Sequence, residues 1–125
     1  MKVLVVDDSA AIRRRLASRL RELAGVEFVA EATDGSGALW YARTLEPDVV
    51  LLDLSLPGPS GIEVLMRLKS GSNPPVVVVL TNNANEPYRI ACLGRGADYF
   101  FDKSKQFDEM IDLLSNLRNR GKERS

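Results

Sequence analysis

The chain has 125 residues, with 17 basic and 17 acidic side chains, no histidine and one cysteine, Cys92. This length fits one domain whose core is large enough to fold without disulfides or a structural metal. Its composition, 45% hydrophobic and 27% charged, excludes a wholly disordered chain. Zero net charge argues against general nucleic-acid binding, and the lack of histidine excludes histidine-based zinc, haem and catalytic-triad sites. Cys92 lies in a helical pattern and is predicted to be a small core residue.

The apolar run at the N-terminus, residues 3–6, stops at Asp7 and Asp8. A signal peptide needs about 7–15 apolar residues and a membrane helix about 20. We therefore expect a cytoplasmic protein that does not associate with membranes.

Short apolar runs rich in Val and Leu alternate with segments of helical spacing. The runs predict five strands, at residues 2–6, 27–32, 49–52, 76–80 and 99–101. Unbroken valines, as in residues 76–79, are typical of a strand covered on both faces.

Five helices are predicted between and after these strands. The first follows a capping pair, Asp8 and Ser9, the second ends at Pro47, and Pro87 suits the first turn of the fourth. The third follows the turn at residues 57–61, and the last contains Phe107 and Leu117. Strict alternation predicts a single α/β domain with a parallel sheet and right-handed crossovers. For its five strands we take the doubly wound (βα)5 arrangement in the flavodoxin-like order 2-1-3-4-5.

Polar side chains follow the predicted strands at their carboxyl ends. Asp7 and Asp8 follow the first strand, Asp53 the third, Thr81 the fourth and Lys103 the fifth. In the predicted order, strands one and three are neighbours where the strand order reverses, which is where ligands bind in such sheets. Clustered carboxylates repel one another unless a cation neutralises them, and an oxygen-only set suits Mg²⁺.

Together, these groups are the parts needed to transfer a phosphoryl group to an aspartate. Each has a simpler explanation alone: Asp7 and Asp8 as helix caps, Asp53 as a loop acid, Thr81 bonded to its own backbone and Lys103 solvated. Their joint placement at strand ends favours the functional interpretation.

Several motifs occur in order at residues 3–9, 34–35, 47–58, 60–65 and 94–103. In these motifs the chain resembles the receiver domain of two-component response regulators, in its stand-alone, CheY-like form. The resemblance covers residues 2 to about 119, so we expect a receiver domain at 1–119 and a polar tail at 120–125 that frays. No room then remains in these 125 residues for an output domain.

The resemblance implies a role for each site residue. Asp53 is the phosphoacceptor, Asp8 and Asp53 bind Mg²⁺ directly, Asp7 binds it through water, and the Ser55 carbonyl adds a ligand. Lys103 pairs with the phosphoryl group. The switch residues are Thr81 and Phe100, with the fourth helix, fifth strand and fifth helix as the partner surface.

Three positions depart from the family pattern. Ser104 stands where receivers usually have a proline joined by a cis bond, so this loop is expected to be strained or rearranged. Asn82 replaces a small residue after Thr81, and Phe100 lacks the hydroxyl of the commoner tyrosine. Ser55 and Asn83 occupy positions at which the family tunes dephosphorylation.

The resemblance implies a signalling protein and not a metabolic enzyme. Such a protein catalyses only its own phosphorylation and dephosphorylation. The phosphodonor is a histidine kinase or phosphotransfer protein, and an unidentified downstream protein is the target. No direct nucleic-acid contact is expected, and the chain is expected to be a monomer or weak dimer. The alternatives are a phosphorylation-independent interaction module with the receiver fold and, remotely, a flavodoxin-like cofactor carrier.

The zero net charge conceals an uneven distribution. The first helix carries one glutamate and five arginines. The arginines are Arg13, Arg14, Arg15, Arg19 and Arg21. This face is either solvated or, as in the family, docks an acidic kinase surface.

Overall fold

A computed structural model of the chain describes residues 1–56, 60–82 and 84–124, with side chains described as far as residue 117. Strands and helices alternate strictly, as predicted. Residues 57–59 of the turn predicted at 57–61, and the tuning position Asn83, lie outside the described residues. The last helix continues to Arg124, through the segment predicted as a tail.

The strands are β1 (Lys2–Val6), β2 (Phe28–Ala32), β3 (Val49–Asp53), β4 (Val76–Thr81) and β5 (Tyr99–Asp102). The helices are α1 (Ala10–Arg21), α2 (Gly35–Leu45), α3 (Gly61–Leu68), α4 (Glu86–Gly94) and α5 (Phe107–Arg124).

The strands form one parallel sheet in the order β2-β1-β3-β4-β5. This confirms the predicted doubly wound, flavodoxin-like fold. Val6 lies opposite Leu52 in the β1–β3 ladder, so the residues that follow β1 and the last residue of β3 share one edge of the sheet. That edge is the switch point at which ligands bind in such folds.

The sheet has a separate hydrophobic core on each face. Alternate strand residues such as Leu4 and Leu52 pack with buried residues of α2, α3 and α4. Their neighbours Val5 and Leu51 pack with α1 and α5. Cys92 is fully buried in the first of these cores, as predicted. Because a strand that is apolar at every position can cover both cores, the two-sided arrangement follows from the unbroken Val and Leu runs.

Side-chain caps start the helices around the site. The Ser9 hydroxyl accepts a hydrogen bond from the Ile12 amide at the start of α1, as its position in the sequence predicts. Ser60 caps α3 in the same way, through the Glu63 amide. The α2 helix ends before Pro47, with Glu46 in a left-handed conformation at φ 48°.

The basic face of α1 makes contacts within the chain. Arg13 pairs with Glu31 at 3.5 Å, and Arg15 and Arg19 lie over the ring of Phe107 at 4.2 and 5.5 Å from its centre. These contacts join α1 to β2 and α5, so part of the face stabilises the fold. None of the described helices is long and apolar enough to cross a membrane.

Candidate phosphoacceptor and metal site

Three carboxylates converge at the carboxyl edge of the sheet. Asp7 and Asp8 follow β1, and Asp53 is the last residue of β3. One oxygen from each lies within 4.8 Å of the others, although about 45 positions separate the two segments. The structure therefore brings the predicted acids together.

Asp7 is held on several sides. Its amide donates to the Ala32 carbonyl at 3.1 Å, which extends the ladder with β2. Its Oδ1 accepts from the Ser9 amide at 2.9 Å, and its carbonyl accepts from Arg13 Nη1 at 2.7 Å. The residue is 1% exposed, so its carboxylate has a fixed direction and little contact with bulk water.

Asp53 lies on the neighbouring strand with its side chain aimed at the same place. It is 4% exposed, and its Oδ1 accepts from the Ser55 amide at 3.1 Å. The loop after it passes close to α3, where a Cβ on Gly61 would lie 2.5 Å from Leu54 Cα. Only a glycine fits at this position, which sets the path of the chain between Asp53 and Ser55.

Lys103 supplies the positive charge of the site. Its Nζ lies 2.5 Å from Asp7 Oδ2 and 3.0 Å from Asp53 Oδ2, and its side chain is 10% exposed. Burial alone would lower the pKa of Lys103, but hydrogen bonds and charge attraction from Asp7 and Asp53 outweigh it and raise the pKa. The ammonium is therefore fully protonated at neutral pH.

Three carboxylates meet one ammonium, so the cluster has surplus negative charge. Surplus charge in a poorly solvated site favours the binding of a cation. Carboxylate oxygens are hard ligands of the type that Mg²⁺ prefers, and the partly open position of Asp8, which is exposed, leaves space for the waters that Mg²⁺ retains. The residues therefore fit a magnesium ion.

Of the predicted switch residues, Thr81 is the last residue of β4, at the sheet edge that carries this cluster, and Phe100 lies two positions before the end of β5. Thr81 is 2% exposed and pairs with Asp102 across the β4–β5 ladder. Phe100 is half-buried, lies opposite Val79 and packs against the core that contains Cys92. Asn82, directly after Thr81, is exposed.

The loop after Lys103 is rearranged. The peptide bonds among the described residues are trans, including the one that joins Lys103 to Ser104. The Asp102 carboxylate accepts hydrogen bonds from Ser104 and Lys105 and holds the loop in a turn. Asp102 was not among the predicted site residues, although an aspartate side chain often accepts a hydrogen bond from the backbone two residues on in such a turn. The contact between Arg13 and Asp7 was not predicted either, because the sequence carries no local signal for it.

The sequence-family model of the response regulator receiver domain matches residues 3–115 of the chain. The chain belongs to this family of two-component signalling domains. Receiver domains of this family interact with histidine kinases or phosphotransfer proteins, and the family typically binds Mg²⁺. Membership favours the receiver interpretation over a flavodoxin-like cofactor carrier.

Two proteins of Pseudomonas aeruginosa illustrate the sequence similarity. The chain is 33% identical to the response regulator GacA over 117 residues, which are 94% of this chain and 55% of GacA. It is 41% identical to a putative transcriptional regulator over 111 residues, which are 88% of this chain and 53% of that protein. The chain thus spans about half the length of the curated relatives it matches.

Solved structures show the same fold. The receiver domain of Francisella response regulator 1452 superposes with a TM-score of 0.86 at 29% identity, covering 96% of this chain and 98% of that one. The response regulator domain of Thermotoga maritima CheB gives a TM-score of 0.82 at 30% identity, covering 96% and 94%.

Proposed function

We propose that this chain acts as a response regulator receiver, which accepts a phosphoryl group on Asp53 and in response changes a protein-binding surface. The donor is the phosphohistidine of a histidine kinase or phosphotransfer protein. The observation that carries the proposal is the Lys103 ammonium, which bridges two buried carboxylates, Asp7 and Asp53, at the switch point of the sheet.

Asp8 and Asp53 would hold Mg²⁺ directly, with Asp7 acting through water and the Ser55 carbonyl completing the protein ligands. When bound, the ion neutralises charge on the phosphoryl oxygens. The nucleophile and the positive charge are supplied by side chains of the protein.

Asp53 is the nucleophile. One of its carboxylate oxygens forms a bond to phosphorus as the nitrogen–phosphorus bond of the donor breaks, and the leaving histidine keeps the electron pair. Lys103, which stays protonated, supplies a fixed positive charge to the transferring group. Asp7 holds that ammonium in place from the other side.

The phosphoryl group adds a charge of roughly −1.5 to −2 at the sheet edge. The Thr81 hydroxyl would donate a hydrogen bond to this group. Phe100, two strand positions before Asp102, would transmit the change to the surface formed by α4, β5 and α5. Converting a mostly inactive population to a mostly active one takes about 5.5 kcal/mol. One charge-assisted hydrogen bond contributes about 1.5–3 kcal/mol. Several new contacts, or binding of the downstream protein, must therefore supply the rest of this free energy.

The proposal is tested by incubating the chain with acetyl phosphate and Mg²⁺ and mapping the modified residue by mass spectrometry. Asp53 is expected to carry the label, and Asp53→Asn is expected to abolish it. Asp112→Asn, on the exposed face of α5, is the matched control and keeps it. Labelling of Asp53→Asn at the rate of the parent chain overturns the proposal.

A second measurement separates a switch from a constitutive module. The phosphorylated and unphosphorylated chains are compared for binding to a partner recovered with the parent protein. Equal affinities would identify a phosphorylation-independent interaction module. We propose a cytoplasmic monomer or weak dimer, whose mass in solution can be measured by light scattering.

A further inference from the structure

The turn after β5 is organised around the carboxylate of Asp102. Its Oδ1 accepts three hydrogen bonds, from the Ser104 amide at 2.8 Å, the Ser104 hydroxyl at 2.7 Å and the Lys105 amide at 3.0 Å. The first two of these bonds lower the pKa of Asp102 most strongly. The carboxylate therefore remains ionised and bonded at neutral pH.

Gln106 closes the same turn from its other end. The Asp102 amide donates to Gln106 Oε1 at 2.9 Å, and the Gln106 amide donates to the Asp102 carbonyl at 3.0 Å. The amide, the carbonyl and the side chain of Asp102 thus all bond to the three residues that follow Lys103.

Lys103 lies inside this turn. Its amide donates to the Thr81 carbonyl at 3.0 Å, which ties the residue to β4 on one side. On the other side Ser104 and Lys105 are exposed, so burial contributes little to their placement. The hydrogen bonds to Asp102 are what fixes the backbone there.

A lysine ammonium is carried on four rotatable bonds, so its position depends on a fixed root. We propose that Asp102 is the positioning residue for Lys103, since it holds the root of that side chain where the ammonium reaches both Asp7 and Asp53. This inference deepens the proposed function and rests on it for the role of Lys103.

The test compares Asp102→Ala, which removes the acceptor, with Asp102→Asn, which keeps a carbonyl oxygen in its place. Asp102→Ala is expected to slow labelling of Asp53 by acetyl phosphate about tenfold, because a small displacement of a positioned group has a large effect on rate. Asp102→Asn is expected to recover most of the rate. Lys105→Ala is the matched control, because the bond to Lys105 involves only its backbone.

Mg²⁺ affinity, measured by calorimetry without phosphodonor, provides a second readout with the opposite sign. The Lys103 ammonium competes with Mg²⁺ for Asp7 and Asp53, so a loosened lysine should let Asp102→Ala bind Mg²⁺ about two- to fivefold more tightly. If a folded Asp102→Ala variant binds Mg²⁺ more weakly and is also phosphorylated more slowly, that result overturns the assignment. So does an Asp102→Ala variant with parental rate and affinity.

Gln106→Ala keeps the test decisive if Asp102→Ala fails to fold, because it removes the side-chain acceptor of the Asp102 amide and, besides that, an exposed bond from Gln106 Nε2 to Glu109. It should shift both readouts in the same directions by smaller factors, and unchanged values count against the proposal. If the parent chain is not labelled at Asp53, the proposed function fails, whereas the Mg²⁺ comparison still tests the placement of Lys103.

Discussion

Two lysine–carboxylate contacts lie at opposite edges of the same sheet and differ in their charge balance. At the amino edge, Lys69 Nζ lies 2.8 Å from Asp98 Oδ2 and also donates to the Pro75 carbonyl at 2.8 Å. Asp98 Oδ2 in turn accepts from the Val77 amide at 2.8 Å. At the carboxyl edge, Lys103 contacts two carboxylates of a cluster of three.

The difference separates a balanced ion pair from a cluster with surplus negative charge. The Lys69 pair is balanced, one charge against one, and both partners also bond to backbone, so it joins α3 to the starts of β4 and β5. The Lys103 cluster retains negative charge that its own lysine does not neutralise. An unbalanced, buried cluster is poised to bind a cation, and a balanced one is not.

The strongest test of this comparison replaces each lysine by methionine. Lys103→Met is expected to slow labelling of Asp53 by acetyl phosphate about 100- to 1,000-fold, as for the loss of one preorganised charge-stabilising group. Lys69→Met should leave the rate within about twofold and lower the free energy of unfolding by about 0.5–1 kcal/mol, as for an accessible ion pair. Rates come from mass spectrometry and stabilities from urea unfolding; equal rate losses in the two variants would contradict the distinction.

A pair of glycines extends the comparison to the loops at the two edges. Gly61→Ala is expected to lower the free energy of unfolding by about 1–3 kcal/mol, because the new methyl group would overlap the Leu54 backbone. Gly71 at the amino edge has open space around it, so Gly71→Ala should change stability by less than about 0.5 kcal/mol. Urea unfolding of both variants decides the point, and equal stabilities would show that the loop after Asp53 can yield.

Stabilisation by magnesium should depend on the residues of the carboxyl edge and not on the Lys69 pair. At about ten times its Kd, Mg²⁺ is expected to add about 1.4 kcal/mol to the stability of the parent chain. Asp8→Asn should reduce this gain, and Lys69→Met should retain it. The measurement is urea unfolding with Mg²⁺ and with EDTA, and an undiminished gain in Asp8→Asn would remove Asp8 from the ligand set.

The smallest effect concerns pH and Asp102. Its pKa in the folded chain lies below its ordinary value of 3.8, chiefly because of the bonds from Ser104. The stability that its charge contributes is therefore present above about pH 4 and is lost as the pH falls through the folded pKa. The parent chain should be more stable than Asp102→Asn at pH 7, and the difference should vanish in acid; a constant difference would contradict this.

Hydrophobic pattern was sufficient to predict the alternating strands and helices, and three of its boundary errors share one cause. The predicted strands at residues 49–52, 76–80 and 99–101 each stop one residue before the observed end. The ladders continue to Asp53, Thr81 and Asp102, where side chains turn polar while backbone pairing persists. Apolar pattern reports burial, whereas a strand is defined by its hydrogen bonds.

The site was predicted only in part, because the sequence pattern shows where strands end but not which contacts form within the loops that follow them. Asp7, Asp53 and Lys103 each stand directly beside a strand end, so topology alone brings them together. Asp102 accepts hydrogen bonds from Ser104 and Lys105 within a turn. Because receivers usually have a proline at the position of Ser104, the family pattern does not predict these bonds. Arg13 reaches the Asp7 carbonyl from one turn into α1, and only the direction of a side chain in space reveals that contact.

One backbone bond limits how the site can move. Because the Thr81 carbonyl accepts from the Lys103 amide, and Thr81 pairs with Asp102, the end of β4 is tied to the lysine that holds Asp53. Sliding the threonine backbone toward a phosphoryl group would drag Lys103 with it. Rotation of the Thr81 side chain about χ1 would move the hydroxyl without breaking that backbone bond. The slow part of signalling would then be the repacking of neighbouring side chains into the space that the hydroxyl leaves.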